Sequence, residues 1–265
     1  METKGILSKM QSLEGDPINY HLTLGEVQFD LTSKIGNQLK LHYTGQIFCI
    51  NCKKNTKKSY SQGYCYPCTL KLAECDLCIL KPETCHFDKG TCREPEWAEK
   101  HCMQPHIVYL ANSSGIKVGI TRKSQMPTRW IDQGAFEALP ILEVKNRKTS
   151  GLIEVLFKKH ISDKTDWRKM LKGHPEQVDL LQLRDDLFEK LKEDLKDFEY
   201  KIIDSKVHTF HYPVTKYPEK VNSLGLDKTS EISSKLIGIK GQYLIFEDGV
   251  FNVRAHTGYE VVIEE

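Results

Sequence analysis

The chain has 265 residues, 39% of them hydrophobic, and a formal net charge of +2. That is length for one large domain or a few small ones, with apolar residues enough for packed cores and no global charge that announces a polyanion-binding protein. No window approaches the ~18 apolar residues of a membrane span, and the opening METKGILSKMQSLEG carries no signal-peptide core, so a cytoplasmic location without membrane association is expected.

Residues 1–47 read as antiparallel strands with one wet face. Ile18, Tyr20, Leu22 and Leu24 alternate with polar residues, as do Val27, Phe29 and Leu31, and then Leu39, Leu41 and Tyr43, with LGE and KIGN as the breaks.

Residues 48–106 lose that periodicity and hold all nine cysteines. Such a stretch buries little apolar area and needs another source of folding energy. In a cytosolic chain, clustered thiols read as metal ligands and not as disulfides. Cys49-x2-Cys52 and Cys65-x2-Cys68, separated by twelve residues, form two knuckles that can set four thiolates around one tetrahedral zinc. The lysines between them, Lys53, Lys54, Lys57 and Lys58, fit either phosphate contact or a solvated hairpin tip. A second zinc is expected from Cys78, Cys85, Cys92 and Cys102, with Cys75, His86, His101 and His106 as alternative ligands and an iron–sulfur cluster as the alternative cofactor.

Residues 107–200 read as β-β-α-β-α with a closing helix. IVYLA and IKVGIT are strands, PTRWIDQGA opens a helix at Pro127, LPILEVK is a third strand, and a helix follows Gly151 with Leu152, Val155, Leu156 and Lys159 on one side. Leu180, Leu183, Leu187, Leu191, Leu195 and Phe198 mark an amphipathic helix whose apolar stripe is core. Residues 201–265 are strand-rich. KYPEKVNSLGLDKTSEISS reads as a linker or long loop, and Asp248-Gly249 marks a hairpin turn. The expected fold class is α+β: N-terminal antiparallel strands, a zinc-ribbon module, a small mixed sheet with helices, and a β-rich C-terminal segment.

The pair VYLA and KVGIT resembles the two core strands of the GIY-YIG nuclease superfamily over about residues 107–173. Tyr109 stands at the first motif tyrosine, Gly119 at the final glycine, Arg129 at the helical arginine and Glu154 at the metal-binding glutamate. Lys117 stands where most members have the second tyrosine, as it does in some branches, and His106-Ile107-Val108 replaces the leading Gly-Ile. The layout of a zinc-ribbon segment running into such a domain is similar to an uncharacterised prokaryotic family. The resemblance implies a phosphodiester-cleaving site in which Glu154 holds Mg²⁺ or Mn²⁺, Arg129 and Lys117 meet phosphate, and Tyr109 holds or deprotonates water.

Local charge agrees with a DNA or RNA partner. Residues 116–130 hold Lys117, Arg122, Lys123 and Arg129 without an acid, and residues 158–172 hold six Lys or Arg, Lys158 and Lys159 among them, against Asp163 and Asp166. Trp130 is core packing or a stacking platform for a base. The acid-rich helix at 180–199 would face away. Two further readings stay open: a catalytically inactive nucleic-acid-binding module, for which Lys117 speaks, and a zinc-stabilised protein–protein adaptor, which would leave the basic flanks accidental.

Overall fold

A computed structural model describes residues 2–25 and 27–264. The chain is mixed α+β with several sheets, and it divides into two units: Met1–Leu70, Leu171–Gly173 and His211–Glu265 form one, and Lys71–Met170 with His174–Phe210 the other.

The first unit is built on strands from both ends of the sequence. Its long strand Gln38–Phe48 pairs antiparallel with Tyr259–Glu264 on one side and Glu231–Lys240 on the other. Glu2–Ile6 adds outside Tyr259–Glu264, while Tyr243–Phe246, Val250–Asn252 and the parallel Ser223–Leu224 extend the far side. The hairpin expected at Asp248-Gly249 is present, with Tyr243 opposite Asn252. The alternating N-terminal segments do not form the one small antiparallel sheet expected of them. Gln11–Leu13, Asn19–Leu24 and Val27–Asp30 form a three-stranded sheet of their own, whereas Gln38–Phe48 joins the C-terminal strands. Glu26, the last residue of the expected LGE break, lies outside the described residues. The end of the supposed linker is also strand: Ile232, Ser234 and Leu236 face inward along Glu231–Lys240. A serine in an inward position hides the alternation.

The second unit carries the expected β-β-α-β-α order. His106–Asn112 lies between Ile116–Arg122 and Glu137–Val144, with Lys201–Ile202 and His208–Thr209 beyond the latter. All of these named pairs are antiparallel, not mixed as expected, and the parallel contact here is the isolated bridge Lys117–Ser162. Val108 and Leu110 point into a core with Ile141, Ile153, Phe157, Leu187 and Leu191. Each such side chain, fully buried, contributes about 1.5–3 kcal/mol by removal from water.

Two helices supply the cover. Leu180–Leu195 starts at Asp179, whose carboxylate accepts from the Leu181 and Gln182 N–H groups, and buries Leu180, Leu187, Leu191 and Leu195. Arg147–Phe157 starts at Asn146, whose side chain accepts from Thr149 N, so it begins before Gly151 and not after it. Its inward face is Ile153, Glu154 and Phe157, while Leu152 is exposed. Gly151 sits mid-helix because a Cβ there would lie 2.5 Å from Pro82 Cβ and 2.7 Å from Glu83 N.

Candidate functional site

The first group of thiols grows from the end of the strand Gln38–Phe48. Cys49 follows it directly and is fully buried. The chain then doubles back: Lys53 N donates to Cys49 O at 2.9 Å, Cys49 N donates to Lys54 O at 3.0 Å, and Lys53 takes a left-handed φ of 61°. The second knuckle turns through Tyr60–Tyr64 and delivers Cys65, after which the helix Tyr66–Lys71 presents Cys68 inward. Thr69 ties this helix to Cys65 O through both its N–H and its hydroxyl.

The Cys49, Cys52, Cys65 and Cys68 sulfurs all lie within 4.8 Å of one another. Cys52 Sγ and Cys65 Sγ are 3.7 Å apart. Zinc bound by four thiolates at ~2.3 Å separates neighbouring sulfurs by about 3.8 Å, so the group has the size of a tetrahedral site. Burial alone would raise the Cys49 thiol, but the N–H groups of Cys65, Cys52 and Asn51 aim at it and bring it down to about 6. Asn51 Nδ2 also donates to Cys68 Sγ at 3.4 Å. Amide donors of this kind stabilise thiolates and orient metal ligands. Among the expected ligands, these four could hold a metal ion such as zinc.

The other cysteines belong to the second unit. Cys78, Cys85, Cys92 and Cys102 line one cavity of about 10 Å³, together with Asp76, His86 and Arg93, and Cys75 is not among its walls. Asp76, Cys78 and His86 offer ligand atoms within 4.8 Å of one another. His101 is turned to Trp97, with Nδ1 at 2.7 Å from its carbonyl and the rings stacked at 4.1 Å. His106 is fully buried with Nδ1 on Gln104 O at 2.7 Å, and burial drives its imidazole down to about 4, so it is neutral.

Tyr109, Lys117, Arg129 and Glu154 form a third constellation. Tyr109 sits directly opposite Gly119 across the first hairpin of the second unit. Its hydroxyl donates to Gln133 Oε1 at 2.8 Å, and Lys117 Nζ donates to the same oxygen at 2.7 Å. Burial pushes the Tyr109 hydroxyl up despite the Arg129 guanidinium beside it. Burial, with Arg129 nearby, pulls Lys117 down to about 8 against the opposing pull of Glu154 and Asp163. Glu154 is raised by burial even though Lys158 Nζ lies 3.4 Å from it. The same ammonium is 2.9 Å from Asp163.

Two members of this cluster escaped the sequence reading. Gln133 is four residues after Arg129, a spacing that shares one helical face, and that signal was available. Asp163 comes from the loop that lies along Ile116–Arg122, where Val118 N donates to Ser162 O, and nothing in its own neighbourhood marks it.

The basic residues around this cluster are unevenly free. Arg122 is half-buried, and Lys123 and Lys159 are exposed, but Lys123 pairs with Glu143 at 2.7 Å. Lys158 is spent on Glu154 and Asp163. Trp130 is 1% exposed and meets Tyr109, His208 and Phe210, which makes it a core residue with no face open to a base. No helix among the described residues is long and apolar enough to cross a membrane.

Neither the curated proteins nor the solved structures contain a match to this chain. A family model does match, and it spans residues 36–261, which takes in all three side-chain groups described above. The chain belongs to the DUF2797 family, described as proteins of unknown function.

Proposed function

We propose that this is a nucleic-acid-binding zinc protein whose Tyr109–Lys117–Arg129–Glu154 cluster is a GIY-YIG-like site for cleaving phosphodiesters with Mg²⁺ or Mn²⁺. The observation that carries this reading is the convergence of Tyr109 and Lys117 on Gln133 Oε1, with the charges of Arg129 and Glu154 felt at both residues. Separate strands and helices bring these groups together, which chance surface placement of a tyrosine, a lysine and an arginine does not do.

The chemistry follows from the environments. Lys117 is protonated at neutral pH and presents a cation to a phosphate oxygen. Arg129 adds a planar fork of donors suited to the charge that builds on phosphorus oxygens in the transition state. Tyr109, its pKa raised, keeps its proton near pH 7 and serves to hold a water by hydrogen bonding, not to deprotonate it. Glu154 and Asp163, which share one ammonium, are hard oxygen donors fit for a divalent cation, and Lys158 would move aside on loading. Bound there, such an ion would lower the pKa of a coordinated water and stabilise the leaving oxygen.

The test is cleavage of plasmid, single-stranded DNA and tRNA with Mg²⁺ or Mn²⁺, comparing the wild-type chain with Glu154→Gln. Loss of at least about a hundredfold in the variant is expected for removal of a metal-holding carboxylate. Equal cleavage by both would remove the assignment.

A second reading is favoured by one feature. Tyr109 and Lys117 are almost wholly buried and satisfied by Gln133, and Glu154 is already paired, as in a site kept for binding alone. A catalytically inactive module would bind DNA or RNA with steep salt dependence and cleave neither.

A further inference from the structure

We propose that Cys78, Cys85, Cys92 and Cys102 hold a second zinc-class ion, and that this ion braces the helix Arg147–Phe157, which carries Glu154. All four cysteines line a single cavity of about 10 Å³. That is room for one small ion.

The tighter trio of Asp76, Cys78 and His86 shares only Cys78 with this set, and we assign the ion to the thiols because Asp76 is committed to Arg93 and a soft ion prefers sulfur. Asp76 Oδ1 accepts from Cys78 N at 3.4 Å, and its Oδ2 pairs with Arg93 Nε at 2.7 Å. His86 Nδ1 lies 2.8 Å from Thr91 Oγ1, and its Nε2 faces Asp76 at 3.6 Å. These groups position the loops, and the thiols are left to take a soft ion.

Charge balance points the same way. Arg147 is a fixed cation whose Nη2 donates to Ile79 O at 2.6 Å and whose Nε is buried without a partner. Its charge is felt at Cys102 and Cys78. A buried guanidinium nitrogen beside neutral thiols would be costly, whereas four thiolates on a divalent ion leave a net charge of about −2 for it to face.

The brace is the set of links from this cysteine segment to the helix. Arg147 N donates to Cys102 O at 2.8 Å, Lys148 Nζ pairs with Asp88 Oδ2 at 2.8 Å, and Gly151 lets Pro82 and Glu83 pack against the helix backbone. Only the consequence for Glu154 rests on the function proposed above, and the metal site stands apart from it.

Elemental analysis of the full chain, purified under reducing conditions, should give two zinc per chain. Cys78→Ser, Cys85→Ser, Cys92→Ser or Cys102→Ser should leave one, while Cys75→Ser and His86→Ala keep two. The first site serves as an internal control for folding. Cobalt substitution of the wild-type chain needs no variant and should show thiolate charge-transfer intensity for eight sulfurs, twice that of a single site. Hydrogen exchange of the amides in Arg147–Phe157 should speed up by at least about tenfold in Cys85→Ser. One metal in the wild-type chain, loss of a metal in Cys75→Ser or His86→Ala, or an iron chromophore would overturn the ligand set. Unchanged exchange in a chain shown to lack the second ion would overturn the brace. None of these readouts depends on cleavage.

Discussion

Gly119 faces Tyr109 so closely that a Cβ at position 119 would lie 2.6 Å from the phenol oxygen and from Cζ. The absent side chain of one strand is the space occupied by the ring of the next. Alanine at 119 would gain a few tenths to about 1 kcal/mol from the backbone, since glycine is the more costly residue in a strand. The contact outweighs that gain, because a fully buried ring held by Gln133 has nowhere to retreat. Gly119→Ala should therefore lose about 1–3 kcal/mol in urea unfolding, as overpacked sites do. Combining it with Tyr109→Ala should make the second change cost less than it does alone, and simple additivity would rule out the contact as the cause.

Gly151 poses the same contest inside a helix. Replacing a helical glycine by alanine ordinarily stabilises by about 0.5–1 kcal/mol. Here the new methyl would meet Pro82 Cβ at 2.5 Å and the Glu83 backbone nitrogen at 2.7 Å, and backbone cannot swing away as a flexible side chain can. Gly151→Ala should destabilise by about 1–3 kcal/mol. If Gly151→Ala raises the unfolding midpoint, the close approach of helix and cysteine segment is wrong.

The two CxxC knuckles were legible because local spacing alone delivers their thiols to one point. The β-β-α-β-α order was legible because His106–Asn112 and Ile116–Arg122 are apolar runs broken by an Asn-Ser-Ser-Gly turn. Sheet membership was not, since Gln38–Phe48 finds its partners some 200 residues away and nothing local specifies them. Buried lysines also defeat a sequence reading. Lys117 and Lys240 both look like surface charges, yet each is enclosed, the latter donating to Gly173 O at 3.1 Å between the rings of Tyr212 and Tyr217. Glycine at 151 reads as a helix boundary by propensity, and tertiary packing overrides that.

Metal removal should have a local and severe effect on the first thiol group. A structural zinc contributes about 10–16 kcal/mol of apparent binding energy, as much as the whole stability of a typical domain. The hairpin around Cys49–Cys68 has few buried apolar side chains of its own to replace that. Cys68→Ser should remove one zinc per chain and abolish exchange protection at Ile50 and Tyr64, whose N–H groups bond within the hairpin. Mass-resolved hydrogen exchange reads this directly, and retained protection would mean that the strands hold the hairpin without metal.

Lys117 makes stability depend on pH in a direction opposite to most surface lysines. Burial lowers its folded-state pKa from 10.5 to about 8. Below pH 8 the ammonium is charged in both folded and unfolded chains, and the folded chain bears the full cost of burying it. Between pH 8 and 10.5 the unfolded chain holds the proton and the folded chain releases it, so this site's contribution to stability improves as pH rises. Lys117→Met removes the charge, fits the same volume and sacrifices the bond to Gln133, a loss of about 1 kcal/mol. The relief is worth up to about 3 kcal/mol. The variant should thus be more stable than wild type by about 1–2 kcal/mol at pH 7, and that advantage should shrink steadily from pH 8 and vanish by about pH 10. Urea unfolding of both chains across this range measures it. A gap that stays constant with pH would show that Lys117 keeps an ordinary pKa, and with it a charge that never leaves the site.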